Sequence, residues 1–336
     1  MITLGIESSC DDTSVALVED GIRVMSSLVS SQVEVHQRFG GVVPEVASRK
    51  HLEAMLPLLQ QALGIAGVEF DAIDQIAVTA GPGLLGPLLV GLSTAKALAW
   101  RYRLPMIPVN HLEAHLAAAF LATHKHPRFP YVGLIVSGGH ANLVLAEGPR
   151  AFTTLGRTAD DAPGELFDKV ARLLGLGYPG GPAIQKSGLI GDPKRYKLPR
   201  PMLGKGHGFS FSGLKTAVLH LHEQEGDQLS VPDVCASLQA AVADTLVSKA
   251  SAALSETNAK RLVMAGGVAA NKPLREAMAA MCERDGIEFL VPPPALCTDN
   301  AAMTAAQGFF SAASVDIDPL LVNARADWPM GTPFPL

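Results

Sequence analysis

The chain has 336 residues, of which 48% are hydrophobic and only 18% charged, enough apolar material for about two domains with sizeable cores. A net charge of −5 excludes a global field that draws the protein to nucleic acid, so any such contact has to be a local patch. The four cysteines, Cys10, Cys235, Cys282 and Cys297, have no Cys-x-x-Cys spacing, which fits a reduced, cytoplasmic setting.

Residues 2–19 read as strand, polar turn, strand, with no leader ahead of the first strand. The turn Glu7-Ser8-Ser9-Cys10-Asp11-Asp12 is rich in acids; Asp11, with Asp12, either closes a hydrogen-bonded turn or acts on a bound phosphate, metal or attacking group. Residues 73–78 form a strand that runs through a Gly-Pro-Gly turn, residues 81–83, into a helix over 84–100. That helix contains Ser93, Thr94 and Lys96 and reads as buried in the protein rather than in a membrane. An apolar run over 105–109 then leads into Asn110-His-Leu-Glu-Ala-His115. Asn110 is a good N-cap, which sets His111 and His115 at i and i+4 on one helical face, close enough to share one metal ion. The zinc-protease pattern would put its glutamate directly after the first histidine. Here that residue is Leu112, and Glu113 lies about 200° round the helix from His111, away from the metal face.

Residues 131–147 repeat the opening plan: strand, the turn Ser137-Gly138-Gly139-His140, strand. The turn lacks large side chains, so an anion can approach its amides, although a Gly-Gly hairpin alone is more often only a turn. Gly164 opens a helix running to about residue 174. Asp168 within it reads equally as a ribose acceptor or a surface acid. Six basic residues (Lys194, Arg195, Lys197, Arg200, Lys205, Lys215), with Phe209 and Phe211 among them and no acid, make residues 194–215 either an RNA-backbone contact or a solvated loop. A strand over 261–265 passes through Gly266-Gly267 to Asn271 and a helix over 273–281. Asp299 precedes an Ala-rich helix and reads either as its N-cap or as a carboxylate completing a two-His, one-carboxylate set with an open coordination position.

Both the hairpin and the strand–glycine turn–helix unit recur, so the chain reads as an internal duplication of mixed-sheet α/β halves whose paired turns line a cleft. This plan resembles the actin, Hsp70 and sugar-kinase superfamily, a ribonuclease H-like fold. The expected division is 1–108 plus 307–336, a partner-binding half, and 109–306, a half with the metal and nucleotide sites.

The motifs Gly5-Ile-Glu-Ser-Ser-Cys-Asp-Asp-Thr13, Gly40-Gly-Val-Val-Pro-Glu-Val-Ala-Ser-Arg49, Gly81-Pro-Gly83, His111-Leu-Glu-Ala-His115, Val136-Ser-Gly-Gly-His140, Gly164-Glu-Leu-Phe-Asp-Lys169, Tyr178-Pro-Gly-Gly-Pro182, Phe209-Ser-Phe-Ser-Gly-Leu-Lys215, Gly266-Gly-Val-Ala-Ala-Asn271 and Thr298-Asp-Asn300, in that order, resemble the TsaD/Kae/Gcp family, most of all its bacterial branch. The resemblance implies transfer of a threonylcarbamoyl group from threonylcarbamoyl-adenylate to N6 of adenosine 37 in tRNAs reading codons that start with A. It implies one divalent metal, iron or alternatively zinc, on His111, His115 and Asp299. Nucleotide and acyl contacts fall on Ile135, Val136, Ser137, Gly138, Gly139, Asp168, Gly181 and Asn271, with Asp11 as the proton acceptor. The implied partners are the tRNA anticodon loop, a TsaB-like paralogue and a TsaE-like ATPase, with no membrane. Three positions depart from the family pattern: Asp12 in place of the common Glu, Ala141 in place of Thr, and Gln185 in place of an acid. The rival readings are a metallopeptidase, disfavoured by Leu112, a non-catalytic ATP-binding scaffold, and a sugar kinase.

Overall fold

A computed structural model describes residues 1–121, 123, 125–314 and 317–334. By its contacts the chain divides into two compact units. The first comprises residues 1–129, 147–152 and 298–336, the second residues 130–146 and 153–297.

The first unit is built on β1 (Ile2–Glu7), β2 (Asp12–Glu19), β3 (Arg23–Ser31), β4 (Gln75–Gly81) and β5 (Met106–Asn110), in the order β3-β2-β1-β4-β5. The hairpin pairs are antiparallel, and β1–β4 and β4–β5 are parallel. Its helices are α1 (Val33–Gln37), α2 (Pro44–Ala66), α3 (Leu85–Tyr102) and α4 (His111–Leu121). The second unit carries β6 (Tyr131–Val136), β7 (Ala141–Gly148), β8 (Ala151–Arg157), β9 (Arg261–Ala265) and β10 (Glu288–Leu290), in the order β10-β9-β6-β7-β8. Read from its other edge, this is the order of the first sheet, and its β6–β9 and β9–β10 pairs are again parallel. The duplication is therefore a duplication of topology. Its helices are α5 (Pro163–Leu173), α6 (Gly180–Gly188), α7 (Ser212–Glu225), α8 (Val231–Thr257) and α9 (Lys272–Asp285). The chain then returns to the first unit as α10 (Ala301–Ser311).

The period of two along the first sheet explains how it is covered on both faces. Leu4, Ile6, Val15, Leu17, Ile76 and Val78 pack with α2 and α3 residues in one core. Ala77, Ile107 and Val109 meet Ala114, Ala118 and Met303 in a second, smaller one. Directly under α10 the sheet carries Gly5 and Ala77, because the helix lies almost on it there. A Cβ at Gly5 would collide with the Ala301 carbonyl, and one at Gly308 with the Ala77 side chain. Both α4 and α10 are apolar round nearly their whole circumference, as helices covered on all sides must be.

These contacts move the unit boundaries from those expected. β5 joins the first sheet and runs directly into α4, and α10 packs on β1 from its first residue. The first unit therefore extends to residue 129 and resumes at 298, and it takes His111, His115 and Asp299 with it, away from the half to which the sequence reading gave the metal site. The helix expected to be buried over 84–100 is α3, and only one of its faces is covered: Leu85, Leu89 and Trp100 are exposed. Among the described residues no helix is long and apolar enough to cross a membrane.

Candidate active site

The ends of two elements create the cluster in the first unit. Asn110, the last residue of β5, accepts from the Leu112 and Glu113 amides (3.0 and 3.4 Å) and so starts α4 with His111. Asn300 caps α10 by accepting from the Met303 amide at 3.0 Å. That role is thus taken by the neighbour of Asp299, and the Asp299 carboxylate turns to the histidines. Its Oδ1 lies 3.2 Å from His115 Nε2 and 3.6 Å from His111 Nε2. One donor atom from each of the three residues falls within 4.8 Å of the others.

The donor set suits a divalent cation. His115 is 1% exposed, and neither ring nitrogen has a hydrogen-bond partner among the described residues. The Asp299 contact at Nε2 makes no hydrogen bond, a buried imidazole without hydrogen bonds is costly, and a metal at Nε2 would remove part of that cost. His111 is oriented from behind. Its Nδ1 lies 3.1 Å from Ser9 Oγ and 3.3 Å from Glu7 Oε2, which leaves Nε2 to face Asp299. Burial pulls the His111 pKa down, but the Asp299 and Glu7 carboxylates outweigh it and hold the ring up at about 9. Carboxylates that hold a proton on this ring favour any cation in its place.

The turn between β1 and β2 is fixed from two sides. His51, on α2, meets Thr13 Oγ1 through Nδ1 at 2.7 Å and donates from Nε2 to the Cys10 carbonyl at 3.0 Å. The Leu84 amide donates to the Ser9 carbonyl at 2.8 Å, and a Cβ at Gly83 would sit 2.6 Å from that oxygen. Within the turn, burial and then the Asp11 and Asp299 carboxylates push the Cys10 thiol far up, so it is no nucleophile. Asp11 is half-buried, and its carbonyl accepts from the Gln32 amide. Asp12 differs. Burial pushes its carboxyl up to about 7, and its Oδ1 is buried without a hydrogen-bond partner among the described residues. Glu7 and the exceptional state of Asp12 were not visible in the sequence, where both read as members of an acidic turn.

The second predicted group lies wholly in the second unit. The Ser137 amide is spent on the His140 carbonyl at 2.9 Å, so the donors on offer are the Gly138 and Gly139 amides, which make no hydrogen bond among the described residues. Both are exposed, with open space where a Cβ would stand. The loop's carbonyls are tied to the start of α5, where the Gly164 amide donates to Ser137 and the Glu165 amide to Gly138. A Cβ at Gly164 would lie 2.7 Å from the Gly138 Cα, which accounts for the glycine. Ile135 and Val136 point no side chain at this surface; both are fully buried in β6. Asp168 accepts from the Gly180 amide at 2.7 Å and is pushed up by its burial, and Gly181 beside it borders open space. The Asn271 side chain is occupied at both ends: Oδ1 caps α9 through the Leu274 amide, and Nδ2 donates to Gln239 at 2.8 Å. Gln185 accepts from the Lys272 amide at 2.7 Å and fastens α6 to the start of α9. Of the basic segment, Lys194, Arg195, Lys197 and Lys205 are exposed, while Arg200 is paired with Asp244. Phe209 and Phe211 are core residues and stack on each other, so they offer nothing to a base.

The topology is that of the duplicated actin-like α/β fold, and it is shared with HypF of T. kodakarensis at a TM-score of 0.64, 14% identity, 93% of this chain and 47% of that one, a likeness that bears on the fold alone. The sequence itself places the protein further. The sequence model of TsaD, tRNA N6-adenosine threonylcarbamoyltransferase, matches residues 23–306. The enzymes of that name from Trichlorobacter lovleyi and Geobacter sulfurreducens are 52% and 50% identical, each match covering 98% of this chain and 97% of the relative. The chain belongs to the TsaD family of tRNA-modifying transferases.

Glu113 generates a test of the helix geometry. It faces away from the metal ligands, accepts from the Gly331 amide at 2.9 Å and from Gln307 at 3.3 Å, and burial pushes it from 4.5 up to about 7. The folded chain therefore keeps a proton that the unfolded chain releases between these values. The stability contributed is full below pH 4.5 and is lost as pH rises through 7. Glu113→Gln should flatten that decline and gain up to about 3 kcal/mol at pH 8, with no gain near pH 4. Urea midpoints across pH decide it, and a variant as pH-sensitive as the parent overturns the assignment.

Proposed function

We propose that this chain transfers the threonylcarbamoyl group of threonylcarbamoyl-adenylate to N6 of adenosine 37 in tRNAs reading codons that start with A, releasing AMP. The observation that carries the reading is TsaD family membership along almost the whole chain. In this reaction the N6 amine attacks the carbamoyl carbon, the bond from that carbon to the phosphate oxygen breaks, and AMP leaves with the electron pair. N6 gives up one proton. An exocyclic amine is a weak nucleophile, so the proton needs an acceptor. Asp11 is the sequence candidate, and Asp12 joins it, because a carboxyl near 7 holds and releases a proton at neutral pH. The Gly138 and Gly139 amides receive the phosphate, and Asp168 the ribose hydroxyls. A divalent ion on His111, His115 and Asp299, iron or alternatively zinc, supplies Lewis-acid polarisation of a carbonyl oxygen. A peptidase role lacks its base, since Glu113 is engaged on the opposite side of α4.

Nucleoside mass spectrometry of bulk tRNA from depleted cells tests the reading. Threonylcarbamoyl-adenosine should vanish, return with the parent gene, and stay absent with His115→Ala. Persistence of the nucleoside after depletion rejects the transferase; full rescue by His115→Ala rejects the metal set.

The tRNA backbone is assigned to the exposed lysines of residues 194–205. Lys194→Ala, Lys197→Ala and Lys205→Ala should each reduce the salt dependence of tRNA binding by about one unit of log–log slope. Unchanged slopes in all three place the tRNA elsewhere.

A TsaB-like paralogue is assigned to the α2–α3 face. These helices cross closely, with Ser48 Oγ 2.5 Å from where a Gly86 Cβ would stand, and Leu52, Leu56, Leu85 and Leu89 are 45–66% exposed there. An apolar surface of this kind marks a partner site. Leu52→Asp combined with Leu56→Asp should abolish co-elution with that paralogue without lowering the melting temperature. Retained co-elution refutes the surface. A TsaE-like ATPase is expected to act on the resulting pair, measured as ATP-dependent turnover only when all three proteins are present.

A further inference from the structure

Glu7 is fully buried, at the end of β1, and four donors from four parts of the chain converge on its carboxylate. The Ser9 amide donates to Oε1 at 2.7 Å. Thr79 of β4 and Thr304 of α10 donate to Oε2 through their hydroxyls at 2.5 and 3.2 Å. His111 Nδ1 stands 3.3 Å from the same Oε2. A buried charge persists only where its lone pairs are filled, and a carboxylate accepts at both oxygens, whereas an amide side chain would turn its NH2 towards one of these donors.

We infer that Glu7 is a positioning residue for the metal site: its carboxylate, clamped by Thr79 and Thr304, accepts the Nδ1–H of His111 and thereby fixes the ring and its tautomer with Nε2 facing His115 and Asp299. This rests on the metal reading of His111, His115 and Asp299. The imidazole then presents its lone pair on one nitrogen only, and its basicity is raised by the charge behind it. Ser9 Oγ, 3.1 Å from the same Nδ1, limits the ring's rotation from the other side. The clamp also reports how the fold is assembled, since Thr304 reaches Glu7 only when α10 is seated on β1.

The test uses the purified full chain with zinc ion as the probe, competed against a chelator of known affinity, together with the 15N resonances of the histidine rings and the melting temperature of the zinc-free protein. Glu7→Gln should weaken zinc binding ten- to a hundredfold. With zinc bound, the His111 ring should also lose its single-tautomer signature, and the zinc-free protein should melt lower because an amide NH2 then faces a buried donor, a cost that Thr304→Val largely avoids. Thr304→Val, which keeps Glu7 and removes one clamp, should give a smaller loss in the same direction, and His115→Ala should release zinc altogether. If Glu7→Gln keeps parental zinc affinity while His115→Ala loses it, the role of Glu7 is refuted and the metal reading stands. If the parent itself does not hold zinc, both fall. If Glu7→Gln fails to fold, Thr304→Val decides, and parental affinity and tautomer signals in that variant overturn the inference.

Discussion

The seating of α10 on the first sheet is the contact on which the site depends. Gly5 and Gly308 remove the two side chains that would hold the helix off, and Ala301 and Ala77 fill the space that remains. Nothing larger fits without moving backbone, because interiors are packed to near-crystalline density. The consequence is geometric. Asp299 stands two residues ahead of α10, next to its cap Asn300, and the helix that α10 packs beside is α4, which begins with His111. A carboxylate and two imidazoles nearly 190 residues apart in sequence thus come within reach of one another because two alanine-rich helices lie close over a strip of small residues.

Much of this was legible in the chain. The i, i+4 histidines, the Asn110 cap, the Gly-Gly turns and the repeated strand–turn units are local signals, set by dihedral preference and helical period, and the two sheets have the same strand order. What was hidden depends on tertiary neighbours. Asp299 and Asn300 are adjacent polar residues ahead of a helix, and only the fold shows that Asn300 reaches the Met303 amide while Asp299 faces the histidines. Glu7 reads as one acid among several because its donors come from Thr79, Thr304 and His111, scattered along the sequence. Phe209 and Phe211 looked available to a nucleic acid because the lysines around them are exposed, yet the segment's pattern alternates and sends both rings inward. The unit boundaries shifted for a similar reason: a helix that begins straight after an edge strand stays with that strand's sheet.

The electrostatics of the first unit centre on surplus negative charge. Glu7, Asp11, Asp12 and Asp299 crowd one region, and Glu7 and Asp12 respond to it differently. Glu7 remains charged despite complete burial because of His111 and its hydroxyl donors. Asp12, with fewer donors, is pushed up by burial to about 7. Similar side chains thus divide into a fixed anion and a carboxyl pushed up towards neutral pH according to how many hydrogen bonds the fold supplies. A cation among these carboxylates would relieve their mutual repulsion, and burial, then the same charges, keep the Cys10 thiol protonated beside them.

The duplication explains how two such different turns occur in one chain. The β1–β2 and β6–β7 hairpins occupy the same place in their sheets, but they have diverged in opposite directions. The first turn carries acids and is braced by His51 and Leu84. The second has shed its side chains and presents the bare amides of Gly138 and Gly139 beside the start of α5. The loop after the fourth strand closes on the first strand or its turn in both units, Gly83 against the Ser9 carbonyl and Gly266 against that of Val136. The scaffold is thus held constant by backbone packing that tolerates only glycine at those contacts. The residues between them are free to differ, so one copy gathers carboxylates while the other presents bare amides. A fold that repeats one hairpin thus offers two equivalent places in which side-chain chemistry can diverge while the backbone packing is kept.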